Sequence, residues 1–234
     1  MQNILAVDTS TENCSVAVLT RQGIFCESKI VPQKHAELVL GMTDGVLKKA
    51  GIKREDLEGI VFGMGPGSFT GVRIAASTAQ GLALGLNLRV VGVSSLEALA
   101  LQALEGCDED YAVSAIDARM GEVYLAVFRR NGSGLLKIVS EQVLKPEAAV
   151  FVVKEALGSN YAVGGGSGIE LLYDAGLNKN IRKRSQFPDA ESIVKIGSTR
   201  FDENGSLDPS EALPLYVRNE VTWKKLEEQK KTTI

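Results

Sequence analysis

The chain has 234 residues, 44% of them hydrophobic, and its 26 basic and 29 acidic side chains leave a net charge of -3. That balance fits one large globular domain or two small ones, excludes a disordered or fibrous chain, and gives no global electrostatic reason to hold a polyanion. With His35 as the single histidine and Cys14, Cys26 and Cys107 scattered, most transition-metal sites and several classes of nucleophilic enzyme lose their ligands or base, and a disulfide framework is not expected.

In chain order, Met1 to Val31 predicts a three-strand antiparallel meander: an apolar run ending in Asp8, an alternating run from Cys14 to Leu19, a turn at Gln22-Gly23 and a third alternating run. KHAELVLGMTDGVLKKAG predicts a helix, with Leu38, Val39, Met42, Val46 and Leu47 at helical spacing and Gly51 as C-terminal cap. Its apolar face, with Leu40 added, is wider than one buried stripe. LEGIVFGMG then predicts a short buried strand, and GMGPGSFTGVRIA leads into a helix from Val72 to Leu86 that is rich in Ala, Ser and Gly. Small residues let a helix pack closely on another, so these two helices form a candidate partner surface. RVVGVS returns as a strand, and Ser95 is expected to cap a helix through Leu104.

The second half begins the same way. ILAVDTSTENCSVAVL and, 109 residues further on, VSAIDARMGEVYLAVF share an apolar strand, a terminal Asp, a polar turn and a second strand. That offset is far beyond the repeats of solenoids and predicts a duplicated unit. A strand meeting GGGSG and a new helix follows at YAVGGGSGIELL, then a helix over FPDAESIVKIGSTRF, and finally a charged tail expected to be solvated. No run approaches the roughly 20 apolar residues of a membrane span. With no signal peptide before the first strand, a soluble protein of the reducing cytosol is expected.

The glycine stretch fits neither the Walker pattern nor G-x-G-x-x-G. Gly65, Gly67 and Gly71 allow close backbone approaches, and amides at the following helix start favour an anion; a plain strand-to-helix turn capped by Ser68 or Thr70 fits equally well. Asp8, Thr9 and Ser10 end the first strand, and Asp117 and Arg119 occupy the matching turn of the second half. Facing each other across a cleft, they could manage a magnesium nucleotide. Asp and Thr are also simple turn formers, and DARMGEVY is bulky for a phosphate turn. Gly165 and Gly166 could bring backbone to an adenine or phosphate, or only pack a loop.

ILAVDTSTENCSVAVL, KHAELVL, GPGSFTGVRIA, GVSSLEALA, AIDARMGEVYLAVF and LPLYVRNEVTWKK together resemble the bacterial TsaB family, formerly YeaZ, from Ile4 to about Lys225. The resemblance implies an α/β fold of the actin, sugar-kinase and Hsp70 (ASKHA) type, two duplicated lobes of mixed sheet flanked by helices. The expected division is residues 1–105, 106–210 and a segment 211–234 packing back on the first lobe. It also implies a non-catalytic partner and activator of the paralogue TsaD in threonylcarbamoyl transfer to the tRNA adenosine beside the anticodon (t6A), with the ATPase TsaE as third subunit. TsaD carries an H-x-x-x-H metal motif where this chain has only His35, so no catalytic residue and no metal are expected here. Docking carries over to the two first-lobe helices, at His35, Leu38, Val39, Met42, Val46, Arg73, Ala76 and Gln80, with self-pairing through the same face when the chain is alone. Asp8, Thr9, Ser10, Asp117, Arg119, Gly165 and Gly166 become vestigial nucleotide residues. ATP and magnesium would be used by the complex, with no cofactor required by the isolated chain. Contact with tRNA would come through the complex, in the cytoplasm and away from membranes. The competing readings are a small-molecule kinase or ATPase using Asp8 and Asp117, and a glycoprotease-like hydrolase, for which no metal pair or nucleophile-base pair is present.

Overall fold

The computed structural model describes residues 3–132, 134–202 and 205–218. The first half supplies β1 (Ile4–Asp8), β2 (Asn13–Thr20), β3 (Gly23–Ile30), α1 (His35–Ala50), β4 (Gly59–Gly65), α2 (Phe69–Leu86), β5 (Val90–Ser94) and α3 (Ser95–Leu104). The second supplies β6 (Tyr111–Arg119), β7 (Glu122–Asn131), β8 (Gly134–Leu144), α4 (Pro146–Leu157), β9 (Ala162–Gly165), α5 (Ile169–Asp174), β10 (Lys183–Ser185) and α6 (Ala190–Asp202). One sheet has the order β3-β2-β1-β4-β5 and the other β8-β7-β6-β9-β10. Adding five to each strand number converts the first into the second. In both, the meander is antiparallel and the next two strands join parallel. The duplication expected from the Asp8–Asp117 offset is therefore present in the topology, and the fold is the two-lobed ASKHA type.

Strand alternation decides which helices each sheet receives. In β1, Leu5 and Val7 face a cluster with Val39, Met42, Val46 and Leu47 of α1, while Ile4 and Ala6 face Ala190, Ile193, Val194 and Phe201 of α6. In β6, Val113 and Ala115 pack with α4 and α5, while Ala112 and Ile116 pack with Leu96, Leu99, Ala100 and Ala103 of α3. Each repeat thus lends its last helix to the other repeat's sheet. Within the expected division, α3 lies in 1–105 and packs on the second sheet, and α6 lies in 106–210 and packs on the first. Chain order does not by itself assign these helices, because a helix goes where an apolar sheet face is open.

The exchanged helices are also tied by charge. Arg200 of α6 donates to both carboxylate oxygens of Glu97 on α3, at 2.7 and 2.6 Å, and to the Gly92 carbonyl at 3.1 Å. Gln102 Nε2 donates to Asp189 Oδ2 at 2.5 Å, just ahead of α6. The helix expected from Val72 starts earlier, at Phe69, because the Ser68 hydroxyl accepts from the Gly71 amide and caps it. Ser95, expected as a cap, is instead the first helical residue of α3; Ser94 holds the cap position without a side-chain bond. After α6 the chain returns to the first lobe, where Leu207 pairs with Val90 and Ala212 is fully buried beside Phe62, Ala76 and Ala79. The charged tail expected in the last dozen residues lies outside the described residues.

Candidate functional site

The turn after β1 is packed rather than open. Asp8 is fully buried; its Oδ1 accepts from the Ser10 amide at 3.2 Å and its Oδ2 from the Ser10 hydroxyl at 3.1 Å. Ser95 in turn donates to the Ser10 hydroxyl at 2.9 Å, tying the turn to α3. Burial removes water from the carboxylate and pushes Asp8 up from 3.8 to about 7, against the lowering effect of the Ser10 bonds and with a smaller upward push from Asp189.

The glycine stretch lies directly on this turn. Ser68 N donates to the Ser10 carbonyl at 2.7 Å, and Thr9 Oγ1 donates to the Gly71 carbonyl at 2.7 Å. A Cβ at Gly67 would come within 2.2 Å of the Ser10 carbonyl oxygen, and one at Gly71 within 2.0 Å of the Thr9 carbonyl oxygen. Both glycines are needed for backbone to meet backbone, so protein occupies the close approach that a phosphate loop would reserve for its ligand.

Across the cleft, the second-lobe turn neutralises its own carboxylate. Asp117 accepts from the Arg119 amide at 2.7 Å and from its guanidinium at 3.0 Å, while the other arm of Arg119 reaches Glu12 of the first lobe at 2.9 Å. The Asp117 amide donates to Ser167 Oγ at 3.2 Å. Ser10, Glu12, Asp117, Arg119, Tyr124 and Ser167 line a cleft of about 810 Å³ between the lobes. The two turns expected to face each other do so, but through Ser10 and Asp117; Asp8 lies behind, and Thr9 is buried. Gly165 and Gly166 are likewise behind the cleft wall. A Cβ on Gly165 would come within 2.8 Å of the Leu99 carbonyl oxygen, and one on Gly166 within 2.0 Å of that of Ala115, so the glycine run seats α3 on the second sheet. This arrangement does not fit a magnesium nucleotide held by Asp8 and Asp117, since one carboxylate is inaccessible and the other is engaged by Arg119. Among the described residues no group of three or more His, Cys, Asp and Glu side chains is placed to hold a metal ion.

The second feature is the face made by α1 and α2. A shallow groove of about 470 Å³ is lined by Ala36, Val39, Leu40, Phe69, Arg73 and Ile74 among others. Leu40 is 55% and Phe69 64% exposed, and the Arg73 guanidinium sits 3.2 Å above the Phe69 ring. The expected docking residues separate by helix periodicity. Arg73 and the buried Val39 line the groove, and Leu38 and Gln80 are half-buried. Met42, Val46 and Ala76 belong to the core under the helices, which removes their side chains from the surface. His35 is buried at the corner of the interlobe cleft, with no hydrogen-bond partner for Nε2 among the described residues. Leu40 and Phe69 carry the exposed face instead. Leu40, already counted in the widened apolar face of that helix, lies off the His35-Val39-Met42-Val46 stripe, whereas the exposure of Phe69 follows from a helix start three residues earlier than expected.

Comparison with known proteins accords with these features. A family model for TsaD, tRNA N6-adenosine threonylcarbamoyltransferase, matches residues 21–186. The chain is 37% identical over 227 residues to the tRNA threonylcarbamoyladenosine biosynthesis protein TsaB of Escherichia coli K12, covering 95% of this chain and 97% of that one. The chain belongs to the TsaB family. TsaB of Haemophilus influenzae is 38% identical over 97% of this chain and 98% of its own. Among solved structures, YeaZ from Pseudomonas aeruginosa superposes with a TM-score of 0.82 at 32% identity, covering 92% of this chain and 100% of that one. A second Pseudomonas aeruginosa structure, described as an uncharacterized protein with similarity to the peptidase YeaZ, gives 0.85 at 32% identity over 93% of this chain and 100% of its own. The TsaB family thus accounts for both lobes and their shared topology. No helix among the described residues is long and apolar enough to cross a membrane.

Proposed function

We propose that this TsaB-family chain acts in t6A biosynthesis on tRNA as a docking subunit that binds and activates TsaD, with TsaE joining the pair, and that it performs no chemistry of its own. The names of its relatives support the pathway. The observation that carries the docking role is a contrast between two surfaces. The carboxylates that a catalytic cleft would use are buried or held by Arg119, while the α1–α2 face leaves Leu40 and Phe69 in water beside an apolar groove. Exposed apolar side chains grouped on two adjacent helices mark a surface that a partner covers. In this reading ATP and magnesium serve the complex, tRNA is reached through it, and a lone chain pairs with a second copy through the same groove.

The test is reconstituted threonylcarbamoyl transfer to tRNA with TsaD, TsaE, ATP and the activated donor. Leu40→Glu places a charge in the groove and is expected to abolish TsaD binding and transfer, whereas Asp117→Ala should leave both at wild-type level. Loss of transfer in Asp117→Ala with binding intact would instead assign chemistry to the cleft.

A further inference from the structure

The segment 212–218 makes contacts on both sides of the interlobe cleft. On the first lobe, Ala212 is buried under α2, the Leu215 amide donates to the Met64 carbonyl at 2.7 Å, and the Tyr216 ring stands 5.4 Å from the Arg73 guanidinium. Two residues on, Arg218 reaches the second lobe. It forms an ion pair with Glu122 and donates to the Ala118 carbonyl at 3.5 Å, and its guanidinium lies 3.2 Å from Met120 Sδ. Leu215, Tyr216, Val217 and Arg218 all line the cleft.

Exposure decides how much this crossing contributes. The ion pair between the two cleft turns that is found among the described residues, Arg119 with Glu12, has side chains 72% and 37% exposed, so solvent screens it. The Arg218 and Glu122 side chains are 19% and 32% exposed, and Arg218 Nε is buried without a hydrogen-bond partner among the described residues. A guanidinium so largely withdrawn from water depends on its carboxylate, and losing either partner leaves a poorly solvated charge. The turn it grips is also held against its own preference: Arg119 and Met120 take φ of +62° and +56°, in the left-handed region that side chains disfavour.

We propose that residues 212–218 form a strap across the cleft, rooted in the first lobe at Ala212 and Leu215 and latched to the second by Arg218 on Glu122, whose release opens the cleft. The lobes stay joined by α3 and α6, so opening at the strap does not require unfolding.

Hydrogen exchange on the full chain tests this with Arg218→Met and with Glu122→Gln, which keeps the side-chain shape should the first variant fold poorly. Both are expected to speed exchange by roughly tenfold in residues 213–218, in the 118–122 turn and in the facing 10–12 turn, with α3 and α6 unchanged. Exchange within about twofold of wild type in all three segments would overturn the proposal. So would faster exchange confined to 213–218, which would make the segment a surface trim that does not hold the lobes.

Discussion

Replacing Asp8 by Asn tests whether the first-lobe carboxylate is a buried remnant. The folded protein holds Asp8 at about 7 against 3.8 for a solvated carboxyl, because burial outweighs the Ser10 bonds. A raised folded value means the folded state binds the proton more tightly than the unfolded chain does. The linked stability is therefore full below about pH 4, declines as pH rises, and levels off above about pH 7. Between about pH 5 and pH 8.5 the wild type should lose about 2.5 kcal/mol that Asp8→Asn does not lose. For a chain of this size that is about 5–10 °C in the difference between their melting temperatures, with the variant gaining on the wild type as pH rises. Asn fits the site: its oxygen can accept from the Ser10 amide and its NH2 can donate to the Ser10 hydroxyl. Paired thermal melts across this range read the effect, because other titrating groups are common to both proteins and cancel. Parallel curves would refute the argument and place Asp8 in a solvated, ordinary carboxylate environment.

The glycine stretch gives a second prediction. Gly67→Ala and Gly71→Ala, each driving a Cβ against a backbone carbonyl, should cost about 2–4 kcal/mol in urea unfolding. Gly81→Ala, where a Cβ would meet no other described residue within 4 Å beyond its own helix, should stabilise α2 by about 0.5–1 kcal/mol. Equal effects at Gly67 and Gly81 would show that the loop does not rest on the Ser10 turn. At the helix exchange, Arg200→Ala leaves Glu97, 11% exposed, without its bidentate partner and should cost about 3 kcal/mol. The double variant Arg200→Met with Glu97→Gln should recover most of that loss, and a double variant as unstable as Arg200→Ala would argue against the ion pair. In the groove, Phe69→Ala is expected to weaken self-association measured by analytical ultracentrifugation while leaving the melting temperature within about 2 °C of wild type, since a 64% exposed side chain contributes little to the core.

Much of the architecture follows from local pattern. The apolar run of β1, the strand through Cys14 to Leu19, the stripe from Val39 to Leu47, the Gly51 cap and the repeat linking Asp8 to Asp117 are all local or periodic, and the structure contains each of them. Periodicity also separates Leu40 from Met42 and Val46 once the axis of α1 is fixed by what it covers. Position along the chain could not show that α3 and α6 cross to the opposite sheets, because apolar helix faces do not name their partners. Nor could it show that the Thr9 and Ser10 carbonyls fill the space beside Gly67 and Gly71, or that Arg119 turns back onto Asp117. The sequence by itself determined the strands and helices of the first half, their partial repetition in the second and the residue types gathered at the two turns, since these depend on near neighbours and spacing; it did not determine β8, α4 or β10. Only the tertiary structure decided which carboxylate is dry, which apolar residue is wet and which lobe each helix serves, because burial and charge pairing arise between segments brought together by packing.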